Sequence, residues 1–110
     1  MSYTDIAAQR LGAAYSGVTE EQALGLSFGD ILGPLLDLLL GLLKDCFAGG
    51  TPASAILAQA RRPTLWLRLR LRLRAREAGL DPQRATEALL SCAKTATAEE
   101  LSGFVAENLG

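Results

Sequence analysis

The sequence predicts an all-α fold, a compact bundle of five to six short helices that self-association completes. Leucine fills 22 of the 110 positions and alanine fills 18, and both residues are strong helix formers. Helix-capping residues recur along the chain, whereas valine and isoleucine, which favour strands, are scarce. Because aromatic anchors are also few, a core of leucine and alanine is loosely specified, and such chains often complete their core by pairing with another copy.

Two capping signals open the chain. A first helix begins at a cap provided by Ser2 or Thr4 and ends at Gly17, since glycine accepts the left-handed conformation common at helix ends. Thr19 and the glutamine three residues later have the spacing of a capping box, which predicts a short second helix reaching about Leu26. Both predictions follow from local capping chemistry alone.

The most apolar helix begins at Gly33-Pro34 and runs to Phe47. Proline fits the first helical position because its missing N–H would have no partner there. Projected at about 100° per residue, the polar residues gather on one narrow strip and the leucines cover the rest of the surface. The apolar run is too short and too charged to span a membrane, which takes about 20 apolar residues. We therefore predict a central core helix.

The second half of the chain carries equally clear helix boundaries. Thr51 and Pro52 predict the cap and first position of a fourth helix, which ends before Pro63. Further on, Gly79 ends one helix, and Asp81 followed by proline caps and starts the next, over about 82–94. A last capping box opens the C-terminal helix at residue 97. We predict a single helical domain, 1–110, with an acidic and apolar half (1–60) and a half (61–110) made of an arginine-rich helix and a C-terminal helical pair.

Residues 65–76, which we call the arginine ladder, begin with Leu65-Trp66, and from residue 67 apolar residues, mostly leucine, alternate strictly with arginine. Alternation is the primary signal of a strand, yet both residues are helix formers, helix boundaries lie on either side, and no second strand candidate exists in the chain. As a helix, the ladder has two opposite apolar stripes, so we predict a helix in a central slot with a neighbour on each side. The residues expected in packing or self-association are Leu35, Leu39, Leu42, Leu65, Trp66, Leu69 and Leu73.

The alternative interpretation of the arginine ladder is a strand that pairs with another subunit. A strand with alternating basic residues followed by two helices resembles the ribbon-helix-helix repressors, and the resemblance covers Leu65 to Gly110. It implies that paired strands of a dimer place side chains in the major groove of DNA.

Charge is distributed unevenly along the chain. Residues 1–60 carry two bases against six acids, and residues 61–110 carry nine bases against six acids, although the formal net charge is only −1. The planar guanidinium of arginine presents a fork of donors that matches phosphate and carboxylate groups. We predict contact with an anionic partner through the seven arginines of the basic segment, Arg61, Arg62, Arg68, Arg70, Arg72, Arg74 and Arg76.

Catalysis is the class of function that the composition argues against most strongly. The chain has no histidine, which removes Ser-His-Asp and Cys-His catalysis and histidine-ligated metals. Cys46 and Cys92 are too few for a structural zinc site, and the adjacent acid pairs lie in first helical turns, where acids favour the helix dipole. We therefore expect no enzyme, no cofactor and no small-molecule substrate.

These observations predict a non-enzymatic structural or adaptor protein that forms a homo-oligomer or binds another protein. Its arginine-rich helix contacts an acidic or phosphate-bearing partner. Two alternatives stay open: a small nucleic-acid-binding protein that contacts the phosphate backbone through the arginine ladder, and a peripheral protein at an anionic membrane surface. The first residues lack the pattern of a secretory signal, which predicts a cytoplasmic location.

Overall fold

The computed structural model describes residues 2–23 and 28–109. These residues form seven α-helices and one short 3-10 turn, and they contain no strand, which confirms the all-α prediction. The number of helices, seven, exceeds the predicted five to six, and the capping and proline signals of the sequence indicate a segment for each of them. The helices are α1 (Tyr3–Ser16), α2 (Glu20–Ala23), α3 (Leu32–Ala48), α4 (Ala53–Arg61), α5 (Leu65–Glu77), α6 (Pro82–Thr95) and α7 (Ala98–Leu109), and the 3-10 turn (Gly29–Ile31) precedes α3.

Side-chain caps begin most of the helices where the sequence predicts them. In three places a hydroxyl and a carboxylate or amide accept hydrogen bonds from each other's backbone N–H groups. The Asp81 carboxylate accepts from the N–H groups of Gln83 and Arg84 at the start of α6, and Gly17 ends α1 in the left-handed conformation. The reciprocal capping boxes pair Ser2 with Asp5, Thr19 with Gln22, and Thr97 with Glu100.

Two helix starts differ from the prediction, and one predicted helix end lies outside the described residues. Helix α3 begins at Leu32, so Pro34 occupies the third helical position, where a backbone N–H still has no partner inside the helix. Helix α4 begins at Ala53, and Pro52 is its cap instead of its first residue. Helix α2 is described as far as Ala23, and the predicted extension to Leu26 falls outside the described residues.

Helix α6 lies at the centre of the bundle, where it packs against α1, α4 and α5. Its alanines allow several neighbours to approach closely, and the hydroxyl of buried Thr86 is satisfied by donating to the Pro82 carbonyl oxygen at 2.7 Å. We predict from the sequence that the two leucine-rich helices organise the bundle. That holds for α3, which buries three leucines in the core, and it is wrong for α5, which lies at the periphery. The buried residues of α6 are Ala85, Thr86, Ala88, Leu89, Leu90, Cys92 and Ala93.

Helix α7 holds the first turn of α1 through one carboxylate. The Glu107 carboxylate accepts hydrogen bonds from the N–H groups of Tyr3 and Thr4 at 2.8 and 2.9 Å, and from the Thr4 hydroxyl at 2.8 Å. Nearby, the Tyr3 hydroxyl donates to Glu99 at 2.9 Å. These contacts join the two ends of the chain, and they also satisfy N–H groups at the start of α1 that have no partner inside the helix.

We expect this contact to weaken in acid. Hydrogen bonds from the Thr4 N–H, the Tyr3 N–H and the Thr4 hydroxyl stabilise the charged carboxylate, which lowers the pKa of Glu107 from its ordinary 4.5. Because the pKa is lower in the folded chain than in the unfolded chain, the stabilisation is complete above about pH 4.5. It is lost as the pH falls through the lowered pKa. Thermal unfolding of the wild type and of Glu107→Gln, followed between about pH 6 and about pH 2, measures the effect. The difference in Tm between the wild type and Glu107→Gln should narrow in acid. A difference that stays constant with pH would contradict a stabilising role of the charged Glu107 carboxylate.

Candidate functional site

The arginine ladder forms helix α5, not a strand. Pro63 ends the preceding segment, the Thr64 hydroxyl accepts from the Leu67 N–H at 3.1 Å, and left-handed Gly79 follows the C-terminal end. Leucine and arginine both favour helix, and the described residues offer no strand with which the ladder could pair. The strand interpretation is therefore wrong, and with it the feature on which the resemblance to ribbon-helix-helix repressors rests.

Only one of the two apolar stripes of α5 packs against the bundle. Leu71 and Ala75 are buried against α6, and Leu67 is half-buried beside them. On the opposite side Leu65, Leu69 and Leu73 are 71%, 46% and 58% exposed, and neighbouring Trp66 is 71% exposed. The predicted central slot with a neighbour on each side is therefore wrong for the described residues. Helix α6 already meets α1 and α4 on its other sides, so α5 covers the remaining side and leaves its own far side open.

We define the outer face of α5 by six residues that share this open side. Arg72 and Arg76 lie three residues after Leu69 and Leu73, a spacing that places side chains on the same side of a helix. The long stems of these arginines can cover the leucines while the guanidinium groups stay in water. The outer face of α5 comprises Leu65, Trp66, Leu69, Arg72, Leu73 and Arg76.

Two of the seven predicted arginines form ion pairs within the bundle. Arg68 donates to Glu87 of α6 at 2.5 Å, and Arg74 donates to Asp45 of α3 at 2.9 Å. Both pairs are largely exposed, and such pairs are worth about 0–1 kcal/mol, so they orient α5 more than they stabilise it. No carboxylate among the described residues lies within 4.0 Å of the other five, which are exposed: Arg61, Arg62, Arg70, Arg72 and Arg76.

The structure divides the predicted packing residues into three groups. Leu35 and Leu39 are buried in the core, so neither is open to a second copy. Leu42 is half-buried and lines a cavity between α3, α4, α5 and α6. The remaining four, Leu65, Trp66, Leu69 and Leu73, lie on the outer face of α5.

Cys46 and Cys92 are both free thiols. Burial raises the pKa of Cys92 to about 11, and burial together with the Asp45 carboxylate raises the pKa of Cys46. Both groups are therefore protonated at neutral pH, which makes them poor nucleophiles. Cys46 lines the same cavity as Leu42, a site that the sequence does not predict. Leu42 and Cys46 are one helical turn apart, which places both side chains on one side of α3. The other walls of the cavity depend on where α4 and α5 pack.

The described part of the chain holds no group of three or more histidine, cysteine, aspartate or glutamate residues arranged to bind a metal. None of the helices in residues 2–23 and 28–109 is both long enough and apolar enough to cross a bilayer. Comparison of the chain with protein-family models, curated proteins and solved structures gives no match.

Proposed function

We propose that the protein is a non-enzymatic adaptor or assembly protein that binds an acidic partner through the outer face of α5. One observation carries the proposal: three leucines and the only tryptophan of the chain are exposed together on one side of one helix. Apolar patches of this kind mark interaction sites, and tryptophan and arginine are the residues that contribute most often to binding energy at interfaces.

The arginines on this surface define the chemistry of the partner. Arg72 and Arg76 lie among the exposed leucines, and within the described residues neither has a carboxylate partner. The surface therefore suits an amphipathic helix that places apolar residues against the leucines and acids beside the arginines. Burial of the leucines and Trp66 supplies most of the affinity, while the charges steer the encounter and select against basic partners.

A second copy of this chain fits the surface only in certain orientations. Two α5 helices packed about a two-fold axis would bring the same arginines of both copies together, and that like-charge contact is unfavourable. In a homo-oligomer, the acidic first half of the neighbouring copy is the complementary surface. Its exposed carboxylates include Glu20, Glu21, Asp30 and Asp37.

Glutamine substitutions separate the apolar and charged contributions to this binding. We expect the triple variant Leu65→Gln/Leu69→Gln/Leu73→Gln to weaken binding at least tenfold, because it removes the apolar contact. Arg72→Gln/Arg76→Gln should weaken binding less and flatten its salt dependence. Glutamine has a helix propensity close to that of leucine and arginine, so α5 is preserved. Leu109→Gln on α7 is the matched control, since Leu109 is also exposed but belongs to a helix that packs mainly against α1, α3 and α4.

A set of probes measures this binding and the competing functions together. The probes are a helical peptide with a leucine stripe flanked by glutamates, the same peptide with lysines, duplex DNA, and vesicles of phosphatidylglycerol or phosphatidylcholine. Light scattering in low and high salt reports self-association. Preference for the acidic peptide, or a salt-sensitive oligomer that the triple variant abolishes, supports the proposal. Binding of duplex DNA in low salt that is lost in high salt would overturn the proposal in favour of the nucleic-acid alternative.

An anionic membrane surface is the second candidate partner for the same residues. Interfacial helices combine leucine and tryptophan on one side with arginine or lysine beside them, and the outer face of α5 has this composition. If this candidate is right, the protein will sediment with phosphatidylglycerol vesicles and not with phosphatidylcholine vesicles, and the triple glutamine variant will not sediment. Equal sedimentation with both vesicles would contradict a role for the arginines.

A further inference from the structure

A cavity of about 220 Å³ opens between α3, α4, α5 and α6, on the side of α5 that faces the bundle. Its walls are apolar and include Leu42, Ile56, Leu67 and Leu89, each from a different helix. An apolar cavity of about 150 Å³ is large enough to hold benzene, so by proportion this one accommodates a chain of about eight carbon atoms. The cavity is therefore a site for an apolar group of modest size.

The mouth of the cavity carries one arginine whose charge no ion pair compensates. Arg70 lies there, and no carboxylate among the described residues is within 4.0 Å of its guanidinium group. Asp45 is the acidic residue at the mouth, and Arg74 donates to it at 2.9 Å, which compensates its charge. Cys46 also lines the cavity and remains a neutral thiol at neutral pH because burial raises its pKa. An anionic group is consequently favoured beside Arg70.

A second recess of about 220 Å³ adjoins the first, and Arg70, Gln59 and Leu67 line both. Arg62, Thr64 and Trp66 also line the second recess, so two arginines and the tryptophan surround it. Arginine offers several donors in a planar fork and pairs with carboxylate or phosphate in two-point contacts. The opening thus combines an apolar interior with donors for an anionic head group.

We propose that this cavity binds an anionic amphiphile, with its hydrocarbon chain among Leu42, Ile56 and Leu89 and its carboxylate or phosphate group at Arg70. The ligand is bound non-covalently and is not transformed. This site shares Trp66 with the outer face of α5 but none of that face's leucines or arginines. The proposal therefore goes beyond the adaptor function proposed above and does not depend on it.

Four ligands of equal chain length test the proposal: octanoate, octyl phosphate, octanol and octylammonium. Two readouts follow binding, the emission of Trp66 and the rate at which Cys46 is alkylated by iodoacetamide, while buried Cys92 serves as the internal reference. We expect octanoate to slow alkylation of Cys46 and to bind about fivefold more tightly than octanol, as a partly exposed ion pair allows. Octylammonium should bind less tightly than octanol. The stronger of the two anions identifies the head group.

Two variants and one control assign the ligand to this cavity. Ala60→Leu adds three carbon atoms to the wall and should abolish protection of Cys46, with circular dichroism confirming the fold. Exposed Arg70→Gln leaves the interior unchanged and should make octanoate and octanol bind equally. Arg72→Gln, on the outer face of α5, should leave the fivefold preference intact. Equal binding of octanoate and octanol to the wild type, or equal effects of the Arg70 and Arg72 substitutions, would overturn the proposal.

The triple glutamine variant of the outer face keeps this test independent of the proposed adaptor function. It should lose binding to the acidic peptide and still bind octanoate with the affinity of the wild type. Because the two kinds of binding are measured on the same variant, absence of peptide binding by the wild type counts only against the adaptor function. Absence of octanoate binding by the wild type counts only against the amphiphile site.

Discussion

Leu71→Ala is expected to lower the free energy of unfolding by about 2–5 kcal/mol, whereas Leu73→Ala on the same helix should change it by less than about 0.5 kcal/mol. Leu71 is 2% exposed and packs against α6, so truncation removes buried apolar surface and leaves a cavity. Leu73 is on the outer face of α5, where truncation removes side-chain atoms that are already mostly in water. Urea denaturation of the two variants, at matched low protein concentration, measures the difference.

The same pair of variants also reports on assembly. If self-association covers the outer face of α5, the cost of Leu73→Ala will rise with protein concentration, because binding to the folded state adds to its stability by mass action. The cost of Leu71→Ala should not change in this way. Equal losses for both variants at low concentration would contradict the one-sided packing of α5.

Gly103→Ala should destabilise the protein by about 1–3 kcal/mol, although glycine to alanine inside a helix ordinarily stabilises it by about 0.5–1 kcal/mol. A Cβ atom at Gly103 in α7 would overlap the aromatic ring of Tyr3. That ring cannot move aside freely, because the Tyr3 hydroxyl donates to Glu99 and its backbone N–H donates to Glu107. The close approach of α1 and α7 therefore requires glycine at this position. Thermal unfolding measures the change, which should be a lower Tm.

Gly41→Ala is the matched control for this prediction. Gly41 also lies inside a helix, α3, but an added Cβ would meet no atom within 4 Å. The substitution should raise the free energy of unfolding by up to about 1 kcal/mol, since alanine favours helix without any clash. If Gly103→Ala stabilised the protein as Gly41→Ala is expected to, Tyr3 would not pack against Gly103 as described.

Capping chemistry made the helices predictable from sequence. Each cap joins a side chain to backbone groups within about three residues, so Thr19, Asp81 and Thr97 mark helix starts without reference to the rest of the fold. The same local reasoning identifies the arginine ladder as a helix, because leucine and arginine propensities and the flanking boundaries agree. The predicted helix start is wrong by one residue at Pro52 and by two residues at Pro34, because a proline fits several positions of a first turn.

Local reasoning does not extend to the position of each helix in the bundle. Helix α6 has fewer leucines than α3, yet it is central because its alanines admit close neighbours on several sides. The ion pairs Arg68–Glu87 and Arg74–Asp45 join residues 19 and 29 positions apart, and nothing in the spacing of the sequence pairs them. The cavity at Cys46 likewise exists only because four separate helices converge there.

The sequence by itself determined that this chain is helical, where most of its helices begin and end, and that seven arginines crowd into one segment. Only the tertiary structure decided which side of the arginine ladder is buried. A repeat of two residues on a helix produces two equivalent apolar stripes, and the pattern itself contains no reason to prefer either. Packing against α6 breaks that equivalence by burying Leu71 and Ala75, and it leaves Leu65, Leu69 and Leu73 with the free arginines as the surface on which we expect the protein to act.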